Sequence, residues 1–165
     1  MTLGMSLSAF TTFHVYLSLI GIGSGLVVLL GLIGGRLFPL VTALFLATTI
    51  ATSVTGFLFP FHGITPAIKL GIISMVVLAV ALAARYLLGL AGRWRTTFVI
   101  ASALALYLNC FVLVVQTFLK IPAVHALAPT QTEPPFKIAQ LAVLILFIVL
   151  TILAVRGFRR PLLPA

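Results

Sequence analysis

The chain has 165 residues, 62% of them hydrophobic and only 7% charged, with a formal net charge of +9. That much apolar surface excludes a soluble globular domain and makes lipid the solvent for most of the chain. The bases flank apolar runs instead of clustering on an exposed domain, so the bilayer is the expected partner and a nucleic acid is not.

Crossing the hydrocarbon core takes about 20 apolar residues. Five stretches meet that length: Phe10–Gly34, Phe38–Phe61, Pro66–Leu90, Trp94–Leu119 and Pro135–Val155. The prediction is an all-α integral membrane bundle of five transmembrane helices, one polytopic domain over residues 1–165. Short connections make consecutive helices antiparallel neighbours, packed around span four.

Residues 1–13 carry no Lys or Arg. The first run is therefore read as a retained span, not a cleaved signal. It opens at His14. Gly21 and Gly25, then Gly31 and Gly35, recur four apart, a spacing that lets helix backbones approach closely. His14 lies seven before Gly21 and shares that face.

Span two carries Thr48, Thr52 and Thr55 on one face, with Thr49 and Ser53 on the adjacent edge and His62 seven beyond Thr55. Such hydroxyls can bond their own i−4 carbonyls at little cost. In the span one–span two hairpin, position 14 is level with position 59, so His62 sits about 4–5 Å further out at 1.5 Å per residue. Span three carries Lys69 near its start, and Gly89, Gly92 and Arg93 mark the turn at its end.

Span four has a polar stripe. Ser102, Asn109, Gln116 and Lys120 are seven, seven and four apart and fall on one helix face. Asn109 is near mid-membrane, where an amide needs a partner. The stripe is either interhelical glue, the first expectation, or the wall of a polar path or pocket. If it meets the threonine face of span two, the bundle interior is polar and opens outward under the histidines. Cys110, alone in its span, reads as a small apolar filler.

The fourth connection, residues 121–134, is the one segment long enough to shape a surface. Its prolines predict a stiff, extended loop. Thr132 is placed to cap the last helix, Glu133 to suit its positive end, and Pro134 and Pro135 to occupy its first turn.

The charges then sort by end. Arg36, Arg85, Arg93, Arg95, Arg156, Arg159 and Arg160 share one side. Lys69, Lys120 and Lys137 share the other with His14, His62, His125 and Glu133. Seven bases against three predict a cytoplasmic arginine side, an N-terminus outside and a C-terminus inside, in a bacterial inner membrane. Lys69, Lys137 and Glu133 form an outer rim; with Lys120 the lysines either hold an anionic headgroup or substrate or, the first expectation, snorkel with Glu133 as their counter-ion.

His14 and His62, with His125 as a third donor, are the candidate ligands for haem b or a transition metal, since imidazole suits both. The opposing expectation is three interfacial histidines. In size, and in placing histidines near span ends, the chain resembles small helical membrane b-type cytochromes. It departs from them in spans three to five, which carry no histidine within the helix, so at most one haem could be held. No residue role is carried across from that family.

One carboxylate side chain and no Asp exclude paired-carboxylate chemistry and a Ser–His–Asp triad. No phosphate loop or paired-cysteine motif is present. By elimination the sequence points first to an accessory or assembly subunit, with a protein partner or a second copy of itself. A haem or metal redox protein using the outer histidines is the alternative, and a small permease with its path along span four is the third reading.

Overall fold

The computed structural model describes residues 4–60, 63 and 65–159. Within them the chain is all-helical: α1 (Leu7–Ile33), α2 (Pro39–Phe57), α3 (Pro66–Leu82), α4 (Arg93–Lys120), the single turn α5 (Pro122–His125) and α6 (Pro134–Phe158). Five of these, with α3 extended to Leu87, are long and apolar enough to cross a membrane.

Helix ends follow local chemistry more closely than the apolar edge does. The Ser6 side chain accepts from the Ala9 amide and starts α1 at Leu7, three residues before the apolar run. Thr65 caps α3 in the same way through Ile68, and Pro66 takes the first turn. Span two ends at Phe57, short of Phe61. Pro60 brings no amide and disfavours helix in the residue before it. The last span runs to Phe158, past Val155, because the Arg156 stem can follow apolar surface and carry its charge outward.

Two departures are larger. Span three is not one regular helix: Ala83–Leu87 forms a π turn containing Arg85. After it, Gly89, Leu90 and Gly92 all take positive φ, and Leu90 does so with its side chain buried. The 121–134 connection is not simply extended. Pro122 sits at the first position of α5, where its ring favours the helical φ, and a helical turn results. The cap of α6 is Glu133, not Thr132.

Contacts run α1–α2, α2–α3, α3–α4, α4–α6 and α6–α1, closing a ring, with α1 and α4 also touching across it. Consecutive helices are antiparallel. His14 meets Thr55 and Gly31 meets Phe38 across α1 and α2, while Phe118 meets Phe136 and Arg95 meets Phe158 across α4 and α6.

Packing is uneven along the bundle axis. The buried core includes Val28, Leu29 and Leu32 of α1, Phe45 and Leu46 of α2, and Leu78, Ala81 and Ala84 from the end of the third span. Phe98, Val99 and Leu106 of α4 join it, as do Ala154 and Phe158 of α6. All belong to the half nearer the arginines. The half nearer the histidines is hollow, and the candidate site lies there.

The glycines of α1 set how close its neighbours come. A Cβ on Gly25 would stand 2.7 Å from a Leu106 methyl and 2.8 Å from the Phe45 ring, whereas Gly23 has nothing within 4 Å. Gly25→Ala is therefore expected to lose about 1–3 kcal/mol by overpacking. Gly23→Ala should hold or gain about 0.5–1 kcal/mol from helix propensity. Unfolding midpoints in mixed micelles measure both. Equal effects would contradict the close α1–α4 approach.

Candidate functional site: a pocket between four helices

The α1–α4 helices enclose a pocket of about 690 Å³. Its lining comes from the start of α1, the end of α2, the start of α3 and the end of α4, which the antiparallel order brings to one level. Phe57, Ile68, Leu70, Leu108, Val112 and Leu113 supply apolar walls. The polar groups are His14, Thr52, Ser53, Asn109, Gln116 and Lys120, with further hydroxyls from α1, α3 and α4. The lining reaches no deeper than Leu108 and Asn109. Beyond them Leu106, Phe45 and Phe98 fill the space, each no more than 1% exposed.

The stripe on α4 and the threonine face of α2 meet at Gly21. A Cβ there would lie 3.2 Å from Thr49 Oγ1, 3.3 Å from Thr48 Oγ1 and 3.5 Å from Asn109 Nδ2. The absence of a side chain on α1 is what lets the three polar groups converge. Yet Asn109 Nδ2 is buried and has no hydrogen-bond partner, and neither has Thr49 Oγ1. The interhelical hydrogen bond expected of glue is therefore missing at Asn109 Nδ2. The stripe also divides: Asn109, Gln116 and Lys120 line the pocket, while Ser102 is buried in the packed half, its hydroxyl unpartnered.

Hydrogen bonds assign donor and acceptor roles around the pocket. Thr52 Oγ1 donates to the Thr48 carbonyl at 2.8 Å, Ser53 Oγ to Thr49 at 3.0 Å, and Thr117 Oγ1 to Leu113 at 2.8 Å. A hydroxyl has one hydrogen, so these oxygens offer the pocket lone pairs only. The donors left are the Gln116 amide and the Lys120 ammonium, since Asn109 Nδ2 is buried beside Gly21 and out of reach of the cavity.

His14 stands edge-on to Phe59, ring centres 5.1 Å apart. Its Nδ1 is 2.8 Å from Thr55 Oγ1, which already donates to the Ala51 carbonyl at 2.7 Å. His14 Nδ1–H is then the donor, and the Nε2 lone pair is free to accept or ligate.

The other sequence-predicted groups lie elsewhere. His62 and Arg160 fall outside the described residues. His125 is half-buried on α5 and donates Nδ1–H to the Phe118 carbonyl at 3.0 Å; it does not line the pocket. Among the described residues no three His, Cys, Asp or Glu side chains gather closely enough to hold a metal. Lys69 and Lys137 are exposed.

Glu133 serves its own loop. Its Oε1 accepts from Thr130 Oγ1 at 2.8 Å and the Thr130 amide at 3.1 Å, and its Oε2 accepts from the Thr132 amide at 3.0 Å. Desolvation pushes the carboxyl upward, but these hydrogen bonds outweigh it and hold its pKa below the ordinary value. A depressed carboxylate contributes stability that is present above the unfolded pKa and lost as pH falls through the folded one. The turn should therefore stay intact as pH falls to the ordinary glutamate range and open as pH drops through the lowered folded value. Thr130 and Thr132 amide resonances would follow the opening. In Glu133→Gln the acid transition should be gone; its persistence would contradict the assignment.

Sequence reading missed several contributors. Ser18 lines the pocket four residues past His14, a spacing that placed it on the same face. Gly71 packs against Phe57 so closely that a Cβ would come within 2.9 Å of the ring. Gln131 and Gln140 donate to the Val115 and Phe111 carbonyls, tying the loop and α6 to α4. No sequence signal marks those pairings.

The fold and the pocket together define a polytopic helical membrane protein with a mainly apolar cavity, carrying a few polar groups, at one end. Comparison with protein-family models, curated proteins and solved structures gave no match.

Proposed function

We propose that this chain is a ligand-binding membrane protein with no catalytic machinery of its own. It holds a small amphipathic molecule in the α1–α4 pocket, as an accessory subunit working beside a protein partner. The positive-inside bias supports an N-terminus outside and a C-terminus in the cytoplasm, and we place the protein in a bacterial inner membrane on that basis. The pocket then faces the outer leaflet.

The pocket carries this reading. Its volume of about 690 Å³ falls within the range of small-molecule sites, as does its combination of apolar walls with a few convergent polar groups. Gln116 and Lys120 bring hydrogen-bond donors to its lining, which an acceptor on the ligand would satisfy. Lys120 at the mouth favours an anionic head, and the committed hydroxyls and His14 Nε2 accept from any donor the head carries. A carboxylate-headed amphiphile fits these roles better than a purely apolar one.

The packed half weighs against a continuous permease path, since the residues beyond Asn109 fill the bundle. His14 Nε2 leaves one ligand position for a metal or haem, but His125 is committed elsewhere.

The test is thermal stabilisation of the detergent-purified protein by oleate against oleyl alcohol, because a ligand bound to the folded state raises its apparent stability. Oleate should raise the midpoint saturably and oleyl alcohol much less. Ser18→Trp, which fills the pocket, should abolish the shift with the midpoint itself little changed. No shift with either probe, or a shift untouched by Ser18→Trp, would remove the reading.

A further inference from the structure

We propose a second binding site, for a phosphate group, at the arginine end of the bundle. Arg93, Arg95 and Arg159 converge with Thr96 and the 89–92 turn around a hollow of about 610 Å³. It lies at the opposite end of α4 from the pocket and shares no residue with it.

Charge balance carries the inference. Like charges held around one hollow repel, and a neighbouring carboxylate usually answers them. The only acidic side chain in the chain is Glu133, at the far end of α6 and engaged by Thr130 and Thr132. No acidic side chain of this chain serves these three guanidiniums.

Arg95 is also held in place. It is half-buried, its guanidinium carbon 5.1 Å from the centre of the Phe158 ring, and its Nη1 donates to the Phe158 carbonyl at 3.4 Å. Stacking on an aromatic fixes the plane of the fork, and a fixed guanidinium fork suits the paired oxygens of a phosphate. Arg93 and Arg159 are exposed and reach the same space from α4 and from the end of α6. The start of α4 adds its positive end in the same direction, with Gly92 supplying no side-chain cap. Arg36 and Arg156, at the same end of the bundle, do not line the hollow, so proximity to the arginine side is not what defines the site.

The ligand is a phosphate mono- or diester, carried either by the headgroup of an anionic lipid or by a free phosphorylated solute. Basic hollows at the ends of membrane helices suit the former.

The full chain in neutral detergent tests this. Its thermal midpoint is followed against phosphatidylglycerol, phosphatidylcholine and inorganic phosphate. Phosphatidylglycerol should raise the midpoint and phosphatidylcholine should not. The apparent affinity should fall by about tenfold in Arg93→Gln/Arg95→Gln, consistent with losing charge-assisted phosphate contacts. Arg36→Gln, the control, should keep it. Arg159→Gln, at the end of α6 and outside the core, should lose part of it and covers the case in which the double variant folds poorly. Phosphatidylglycerol binding far tighter than inorganic phosphate identifies a lipid headgroup. Equal affinities identify a free phosphate. The proposal is overturned if none of the probes raises the midpoint, or if Arg36→Gln loses as much affinity as the double variant.

Discussion

Gly157→Ala should be among the most damaging single-methyl substitutions in this chain. Gly157 lies in the last turn of α6, where α6 crosses the end of α1. A Cβ built there overlaps the Ile33 carbonyl oxygen and comes within 2.7 Å of its carbon and 2.9 Å of the Leu32 oxygen. These are backbone atoms of a helix end and cannot move as a side-chain tip can. They are also held from behind: the Gly34 amide donates to the Leu30 carbonyl and the Gly35 amide to Leu32, and Gly35 turns the chain at φ +71.

Relief must therefore come from displacing α6 itself. That would pull Phe158, 2% exposed, and Ala154, fully buried, out of the core and release Arg95 from the Phe158 carbonyl. The expected loss is on the order of 3 kcal/mol, at the upper end for overpacking. An SDS unfolding titration reads it directly, with Gly23→Ala as the matched control. A Gly157→Ala variant as stable as the parent would contradict the α1–α6 crossing.

Asn109→Leu should do the opposite to stability. If Asn109 were glue, removing its amide would break an interhelical hydrogen bond and loosen α1, α2 and α4. In this structure Nδ2 is a buried donor with no partner. Replacing it with an isosteric apolar side chain removes an unmet desolvation cost of about 1–3 kcal/mol. The variant should match or exceed the parent in stability. Binding of a carboxylate-headed amphiphile should change little, because Nδ2 is turned to Gly21 and the threonines and not to the cavity. Gln116→Leu, in the lining, should weaken it by about tenfold or more, the cost of losing one hydrogen bond of about 1.4 kcal/mol to a charged group. The stability readout separates the accounts: glue predicts a loss, and an unpaired buried donor predicts none.

Much of the fold is legible in the residues because lipid leaves the chain few choices. Backbone groups in hydrocarbon must be paired internally, so apolar runs of sufficient length become helices. What composition does not encode is where those helices stop. Ser6, Thr65 and Pro60 set three of the ends by capping or by a missing amide, and a hydropathy window does not see them. The π turn at Ala83–Leu87 has no sequence marker.

The site was half legible. Seven-residue spacing put Asn109 and Gln116 on one face, and the glycine spacing put Gly21 and Gly25 on another. That the two faces meet is a matter of helix rotation, which spacing alone leaves open. Gly157 shows the limit most clearly. A single glycine near a helix end carries no pattern, and its importance arises only from a backbone 124 positions earlier in the chain. Ser102 shows the reverse: it shares the stripe's spacing and lies in the packed half, because the stripe crosses from core to cavity between positions 102 and 109.

The most direct test of the central claim is photolabelling in proteoliposomes with a diazirine-bearing fatty acid, the labelled residues being mapped by mass spectrometry. A ligand in the α1–α4 pocket predicts saturable labelling at Ser18, Ser53, Gly71 and Val112, competed by oleate and lost in Ser18→Trp. Labelling confined to lipid-facing positions such as Ile145 and Ile148 of α6, which are 53% and 50% exposed, and unchanged in that variant, would contradict it.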